Sequence, residues 1–432
     1  MRAHYVAAVL LSAGLAASDG VLSSAFRDIP AERNAWPLMV EAAELVTRDD
    51  AQPVGSNYPD PWAPLRPAIA RRLADNAPAL ARLDSALRRP EMVWPARFAE
   101  PEQEDATYRL TAKWRELARL KTQRAYARQA TGDRLGALAD IDDLLTWVEL
   151  AQDGGGSVRQ YTSFGAVRAV ALNSTRWLLD TPLPLTEAER RAWQALSLRI
   201  ADESRAVPAL RRAYAGELAQ LDHTLHQPSY YPGPMPSETD IQQVLAWYRA
   251  LYDAAARAAE QLPWQRDGSE FASVRQPAIV RNDPVWRATG IDDGPVLVNR
   301  LVETDRADRR LTVAAIAVRL YQADHGSLPR DLRQVAAAGL LPAEPIDPFD
   351  NRPLRYLPDR GLLYSVGRDR TDNGGDLRCD QVARLIYISR PPEPEPLPVT
   401  RSRPGLPPPP DDSKGGAEPS HDRRSHGESA LF

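Results

Sequence analysis

Between about residues 30 and 262, apolar side chains return every three or four positions, and this period constrains the fold more than any other feature of the chain. In Tyr108 to Ala130, Leu110, Trp114, Leu117 and Leu120 line one face, while Arg109, Lys113, Arg115, Glu116 and Lys121 fill the other. That is the signature of an amphipathic helix laid against a core. Thr131-Gly132-Asp133 breaks the pattern, and Ala137, Leu138, Ile141, Leu144, Leu145 and Val148 form the stripe of a second helix. Gly132 suits a left-handed helix end, and Asp133 can cap the next start.

The same reasoning places a helix over Tyr161 to Leu179. Another runs from the capping box Thr186-Glu187-Ala188-Glu189 through Ile200, and a third, containing Val244, Tyr248 and Tyr252, opens at Ser237. Pro228 to Pro236, with four prolines, reads as a rigid loop. Nine of the ten tryptophans, from Trp36 to Trp264, are spread along this part. They read as core and inter-helix packing residues, with an aromatic groove for an extended peptide or glycan as the alternative. The Gly-Asp turn followed by Ala137-Leu138 resembles one helix-turn-helix unit of a tetratricopeptide stack, although no regular period of roughly 34 residues follows. The expected fold class is therefore mainly α, an irregular tetratricopeptide-like helical stack over residues 30–265.

Residues 266–294 are rich in Pro, Asp and Gly and read as a linker. Val296 to His325 is a long helical stretch in which the charged cluster Asp305 to Arg310 is a candidate interruption. Gly326 stops it, with Pro329 beyond. Asp331 to Ala338 reads as a short helix; Leu354 to Leu357, Leu362 to Val366 and Leu385 to Ile388 read as strands, with Pro358-Asp359-Arg360-Gly361 as a hairpin turn. Residues 391–432 carry many Pro, Ser, Gly and charged residues and almost no large apolar ones, the composition of a disordered tail.

Within residues 295–390, Asp347-Pro348-Phe349-Asp350-Asn351-Arg352-Pro353, Ser365-Val366-Gly367-Arg368-Asp369 and Asp372-Asn373-Gly374-Gly375-Asp376 follow a long helix. Together these resemble the globular end of the major pseudopilin of bacterial type II secretion systems. The resemblance implies a small α+β module with a helix packed on an antiparallel sheet. It also implies an acidic loop that holds Ca²⁺, a cation taking about six to eight hard oxygen ligands. The candidate ligands are Ser365, Asp369, Asp372, Asn373 and Asp376. Arg368, Arg370 and Arg378 depart from the family pattern and would compete for the carboxylates; the alternative is an acidic turn in which Asp side chains bond backbone N–H groups. No assembly helix of the pseudopilin kind precedes Arg310, so polymerisation into a pseudopilus is not expected. Asn34-Ala35-Trp36-Pro37-Leu38-Met39-Val40, taken with the overall layout, is similar to envelope proteins of planctomycete-type bacteria, a likeness that imports no activity.

Met1-Arg2-Ala3-His4 gives a weakly positive start, Tyr5 to Ala17 is apolar or small, and Ala16-Ala17-Ser18 offers small residues for cleavage. Residues 1–18 therefore read as a signal peptide. As a helix its apolar run would span about 20 Å against a hydrocarbon core of about 30 Å, so no mature transmembrane helix is expected, and only an uncleaved leader would anchor the chain. The single cysteine, Cys379, permits no internal disulfide. A formal net charge of −4 gives no nucleic-acid footprint. His223 and His226 share a helix face without a third ligand, and neither a nucleophile elbow nor a phosphate-binding loop is present.

The function expected from the sequence is that of a periplasmic or secreted envelope protein, a scaffold or a binder of proteins or peptides, with a Ca²⁺-stabilised C-terminal module. The alternatives are an envelope hydrolase using acidic residues of the helical part, for which acidic pairs such as Asp142-Asp143, common on helices, single out no catalytic residue, and a structural component of an envelope or secretion assembly.

Overall fold

The computed structural model describes residues 26–47, 67–96, 104–179, 184–227, 235–266, 271, 274, 294–376 and 380–384. The expected leader, most of the 228–236 loop and the linker, Cys379, Leu385 to Ile388 and the 391–432 tail lie outside them. Among the described residues the chain is mainly helical. The helices are α1 (Trp36–Glu44), α2 (Pro67–Asp75), α3 (Ala77–Ala86), α4 (Glu104–Ala130), α5 (Arg134–Asp153), α6 (Val158–Leu178), α7 (Glu187–Ala201), α8 (Ala206–Leu225), α9 (Glu238–Glu260), α10 (Gly294–His325) and α11 (Leu332–Ala337). One antiparallel sheet follows, in the order β1 (Arg355–Leu357), β2 (Leu362–Ser365), β3 (Gln381–Arg384).

Local chemistry sets the helix ends where the sequence indicates. Asp133 accepts from the Gly136 N–H at 2.9 Å, while Gly132 takes φ +90°, a conformation open to glycine at little cost. Thr186 and Glu189 form a reciprocal capping box, and Ser237 accepts from Asp240 N. The apolar stripe of α5 is buried as its period requires.

The core of the helical body is aromatic. Trp36, Trp94, Trp114, Trp147 and Phe164 form a chain of ring contacts, with centroids 4.2 Å apart for Trp36 and Trp94 and 5.4 Å for Trp114 and Phe164. Trp36, Trp94, Trp114 and Trp147 are thus packing residues, brought together with Phe164 from α1, the 91–95 segment, α4, α5 and α6, whereas Trp264 is exposed. A second buried cluster joins α8 and α9, where Tyr214 stacks on Tyr252 at 4.7 Å.

Lys121 departs from the expected solvent face. Its side chain is fully buried, 2.5 Å from Asp84, 2.6 Å from Asp143 and 3.4 Å from Asp140. Helices α3 and α5 flank that side of α4 and bring the carboxylates that neutralise the ammonium. Arg124 bridges Asp84 and Asp140 in the same network.

Helix α10 organises the rest. It packs on α6, α7 and α9 and also on α11, β2 and β3. The described residues form one compact unit. The Asp305 to Arg310 cluster does not interrupt the helix, because each of its charges finds a partner on the helical body. Asp305 accepts from Arg168 at 2.8 Å and from Arg309 at 2.9 Å, Arg176 binds Thr312 and Asp308, and Arg306 and Arg310 flank Glu203. Arg310 also donates to the Ile346 carbonyl, and Gln381 on β3 donates to Thr304 O. The third strand forms at Gln381–Arg384, before the apolar run expected to make it, in a register that sets Ala383 opposite Leu363. The 358–361 turn forms as expected, with Gly361 at φ +59°.

Burial pushes the Asp305 carboxyl up, but Arg168 and Arg309 outweigh it and hold the group below its ordinary value. A depressed folded-state value contributes stability that is complete above the unfolded value of about 3.9 and is lost as pH falls through the folded one. Asp305→Asn leaves buried Arg168 without its carboxylate, so it should destabilise the chain by about 3 kcal/mol at neutral pH. The gap from wild type, read by urea unfolding, should narrow as pH drops below about 3.9. A pH-independent gap would contradict this assignment.

Candidate functional site

The acidic loop after β2 is built around two buried carboxylates that are not among the expected ligands. Asp347 is fully buried and accepts hydrogen bonds from Phe349 N at 3.0 Å, Ser365 Oγ at 2.9 Å, Val366 N at 2.9 Å and Arg355 Nη1 at 3.2 Å. Burial raises its pKa; the hydrogen bonds from Phe349, Val366 and Ser365 counter that only in part. Arg355 extends from Asp347 to Asp350 and Asp372, which ties the 347–353 turn to the loop across β1.

Asp380 is the second hub. The N–H groups of Asn373, Gly375 and Asp376 point to its carboxylate at 3.4, 2.7 and 3.2 Å. Gly374 and Gly375, at φ +68° and +81°, give the backbone the curvature that aims these donors inward. Successive N–H groups arranged in this way make a concavity for an anion. The loop thus closes on a carboxylate of its own chain, a polarity opposite to that of a cation site.

The five expected ligands are engaged separately. Ser365 is turned to Asp347. Asp369 accepts from Thr371 N and Asn373 Nδ2, and Asp372 from Tyr364 OH and Gly374 N. Asp376 donates its backbone N–H to the Asp380 carboxylate and accepts from the Asp380 N–H through its C=O. Burial pushes the Asp372 carboxyl up, but Gly374, Tyr364 and Arg355 hold it below its ordinary value. Among the described residues no group of three or more His, Cys, Asp or Glu side chains is disposed to hold a metal ion. The hydrogen bonds that Asp369 and Asp372 accept from the loop's own N–H and O–H groups are those the acidic-turn alternative calls for. Asp347 and Asp380 escape sequence reading because their roles depend on backbone donors brought up by the fold; the Gly374-Gly375 pair is the one local signal.

The other candidates resolve into ion pairs. Asp143 holds Lys121 and Asp142 holds Arg199. His226 sits at the end of α8 against Asp222 and Glu238, and hydrogen bonding to the Asp222 carbonyl leads the effects that raise its pKa. His223 contacts Gln227.

A groove of about 460 Å³ opens at the N-terminal end of the helical body, lined by Asp28, Trp36, Pro37, Val40 and Pro95. Its shape follows from Asn34, a buried amide that accepts from Val93 N at 2.9 Å and Trp36 N at 3.0 Å and donates to Val93 O at 3.0 Å. Ala35 N and Glu91 O, 2.7 Å apart, extend the pairing. Gly154 lies so close below that an added Cβ would fall 1.5 Å from the Met92 carbonyl oxygen, which fixes the segment carrying Trp94 and Pro95. Among the described residues its walls are apolar, and one exposed carboxylate, Asp28, lies at its edge.

No family model, curated protein or solved structure matches the chain. No helix among the described residues is long and apolar enough to cross a membrane.

Replacing Asp380 with Ala should cost about 1–2 kcal/mol, because it leaves three part-buried N–H donors without their charged acceptor. Differential scanning fluorimetry of the full chain separates the two readings of the loop: the acidic turn predicts the same melting temperature in EDTA and in millimolar Ca²⁺. A saturable Ca²⁺-dependent rise, lost in Asp369→Ala, is what the Ca²⁺ loop predicts.

Proposed function

We propose that this chain is a bacterial cell-envelope or secreted protein that binds an extended peptide segment of another protein. The observation that carries the reading is the groove over Trp36, with two prolines and Val40 as walls and Asp28 at its rim. An apolar, concave surface with one placed charge suits a short extended segment carrying a basic residue beside its apolar ones. A rigid floor favours such binding, since little ordering cost falls on the protein side.

In this reading the helical body is an irregular tetratricopeptide-like stack. The antiparallel pairing of α4 with α5 through the Thr131-Gly132-Asp133 turn supports that likeness. The C-terminal part is a small pseudopilin-like α+β module, supported by the packing of α10 on β2 and β3. Export rests on the apolar leader of the sequence.

The test is a fluorescence screen of the full chain against a library of ten-residue peptides, with intrinsic tryptophan emission as a second readout. A peptide that binds saturably, shifts the emission and loses at least about tenfold in affinity to Val40→Arg, or about 1.4 kcal/mol, supports the reading. Binding that Val40→Arg and Asp28→Lys leave unchanged, or no binding from the whole library, contradicts it.

A further inference from the structure

Four guanidinium groups gather where the C-terminal end of α9 meets the middle of α10, and among the described residues the carboxylates paired with them are Glu203 and Glu303. Arg266 pairs with Glu303 through Nη1 and donates from Nη2 to the Gln261 carbonyl at 3.0 Å. Arg306 Nη1 donates to the same carbonyl at 3.1 Å. Arg310 Nε donates to Glu203 at 3.2 Å, and Arg370 Nη2 donates to the Pro263 carbonyl. The carbonyls at the end of α9 account for part of this, because the C-terminus of a helix attracts cations.

They do not account for the Nε–H groups of Arg266 and Arg306. Both donors are buried and have no hydrogen-bond partner among the described residues. Arg306 Nε lies 3.4 Å from Glu203 Oε2, inside ion-pair range, without hydrogen-bond geometry. A buried donor left unmade is costly, and a guanidinium edge is shaped for two parallel bonds to an oxyanion. Arg370 adds a second oddity. Its φ of +58° is left-handed, a strain of order 1 kcal/mol in a residue other than glycine, and it brings a further cation to this seam. Burial leads the effects that lower the Arg306 pKa, and Arg266 and Arg310 add to it while Glu203 opposes. Two paired carboxylates thus serve four guanidinium groups among the described residues.

We propose that this seam binds a tetrahedral oxyanion of the phosphate class, whose oxygens accept from the Nε–H groups of Arg266 and Arg306 while Arg310 and Arg370 supply the surrounding positive potential. The site is separate from the groove over Trp36 and does not depend on it. An anion bound there would tie the end of α9 to α10 at the place where Arg370 reaches across from the sheet-bearing part.

The experiment is thermal unfolding of the full chain in inorganic phosphate, acetate and chloride at matched ionic strength, with calorimetric titration of phosphate. Phosphate also stabilises proteins in general by exclusion from their surface, an effect that does not saturate and is insensitive to single side chains. The expected result is a saturable rise in melting temperature with phosphate, weak or absent with acetate. It should be weakened about tenfold or more by Arg306→Lys and by Arg266→Lys, which keep the charge and lose the planar fork. Both variants should retain the wild-type far-ultraviolet spectrum in chloride. A rise that does not saturate, one that both Lys variants share in full, or an equal response to acetate overturns the proposal.

Discussion

The structure depends on a band of charge in the middle of its longest helix. A helix of 32 residues with ion pairs at its centre would ordinarily present that stretch to water, yet here Asp305, Arg306, Asp308, Arg309 and Arg310 face α6, the 200–203 segment and the base of the sheet. Burying such a band is not in itself a large source of stability, because removing ions from water offsets most of their attraction. Its consequence is register. Arg168 and Arg176, two turns apart on α6, meet Asp305 and Asp308 on α10, and a shift by one turn would leave every one of these charges buried without a partner. Apolar packing alone would tolerate such a slide far better. The position of the sheet follows, since Arg310 and Thr304 hold Ile346 and Gln381 from the other side of the same helix.

The C-terminal part repeats the theme at smaller scale. Arg355 and two buried aspartates do there what a metal ion does in many acidic loops: they fix the crossings of a chain with few apolar residues to spare. The polarity is reversed, however. Asp347 and Asp380 gather backbone N–H groups toward a negative centre, and the exposed acids of the loop are spent on turns within it.

Much of the helical architecture was legible from sequence because its causes are local. The Gly132 turn, the Thr186 and Ser237 caps and the stripes of α5 and α9 depend on residues within a few positions of one another. What the sequence did not disclose are the interactions between distant residues. Lys121 reads as part of a solvated face until α3 and α5 supply its carboxylates, and Asp305 reads as a helix breaker until Arg168, 137 positions earlier, is beside it. The internal bonding of the acidic loop was hidden for a related reason. Its residue types are local, whereas the direction of its N–H groups is set by two left-handed glycines and by Asp380, outside the motif. The groove was legible only as a general abundance of tryptophan, since the Asn34 amide that shapes it pairs with Val93 across 59 positions.

If the charged band on α10 unites the helical body and the sheet into one cooperative structure, the two must melt together. Differential scanning calorimetry of the full chain at neutral pH tests this most directly. The account predicts one transition whose calorimetric and van't Hoff enthalpies agree. Two resolved transitions, with the sheet-bearing part melting independently of the helices, would contradict it.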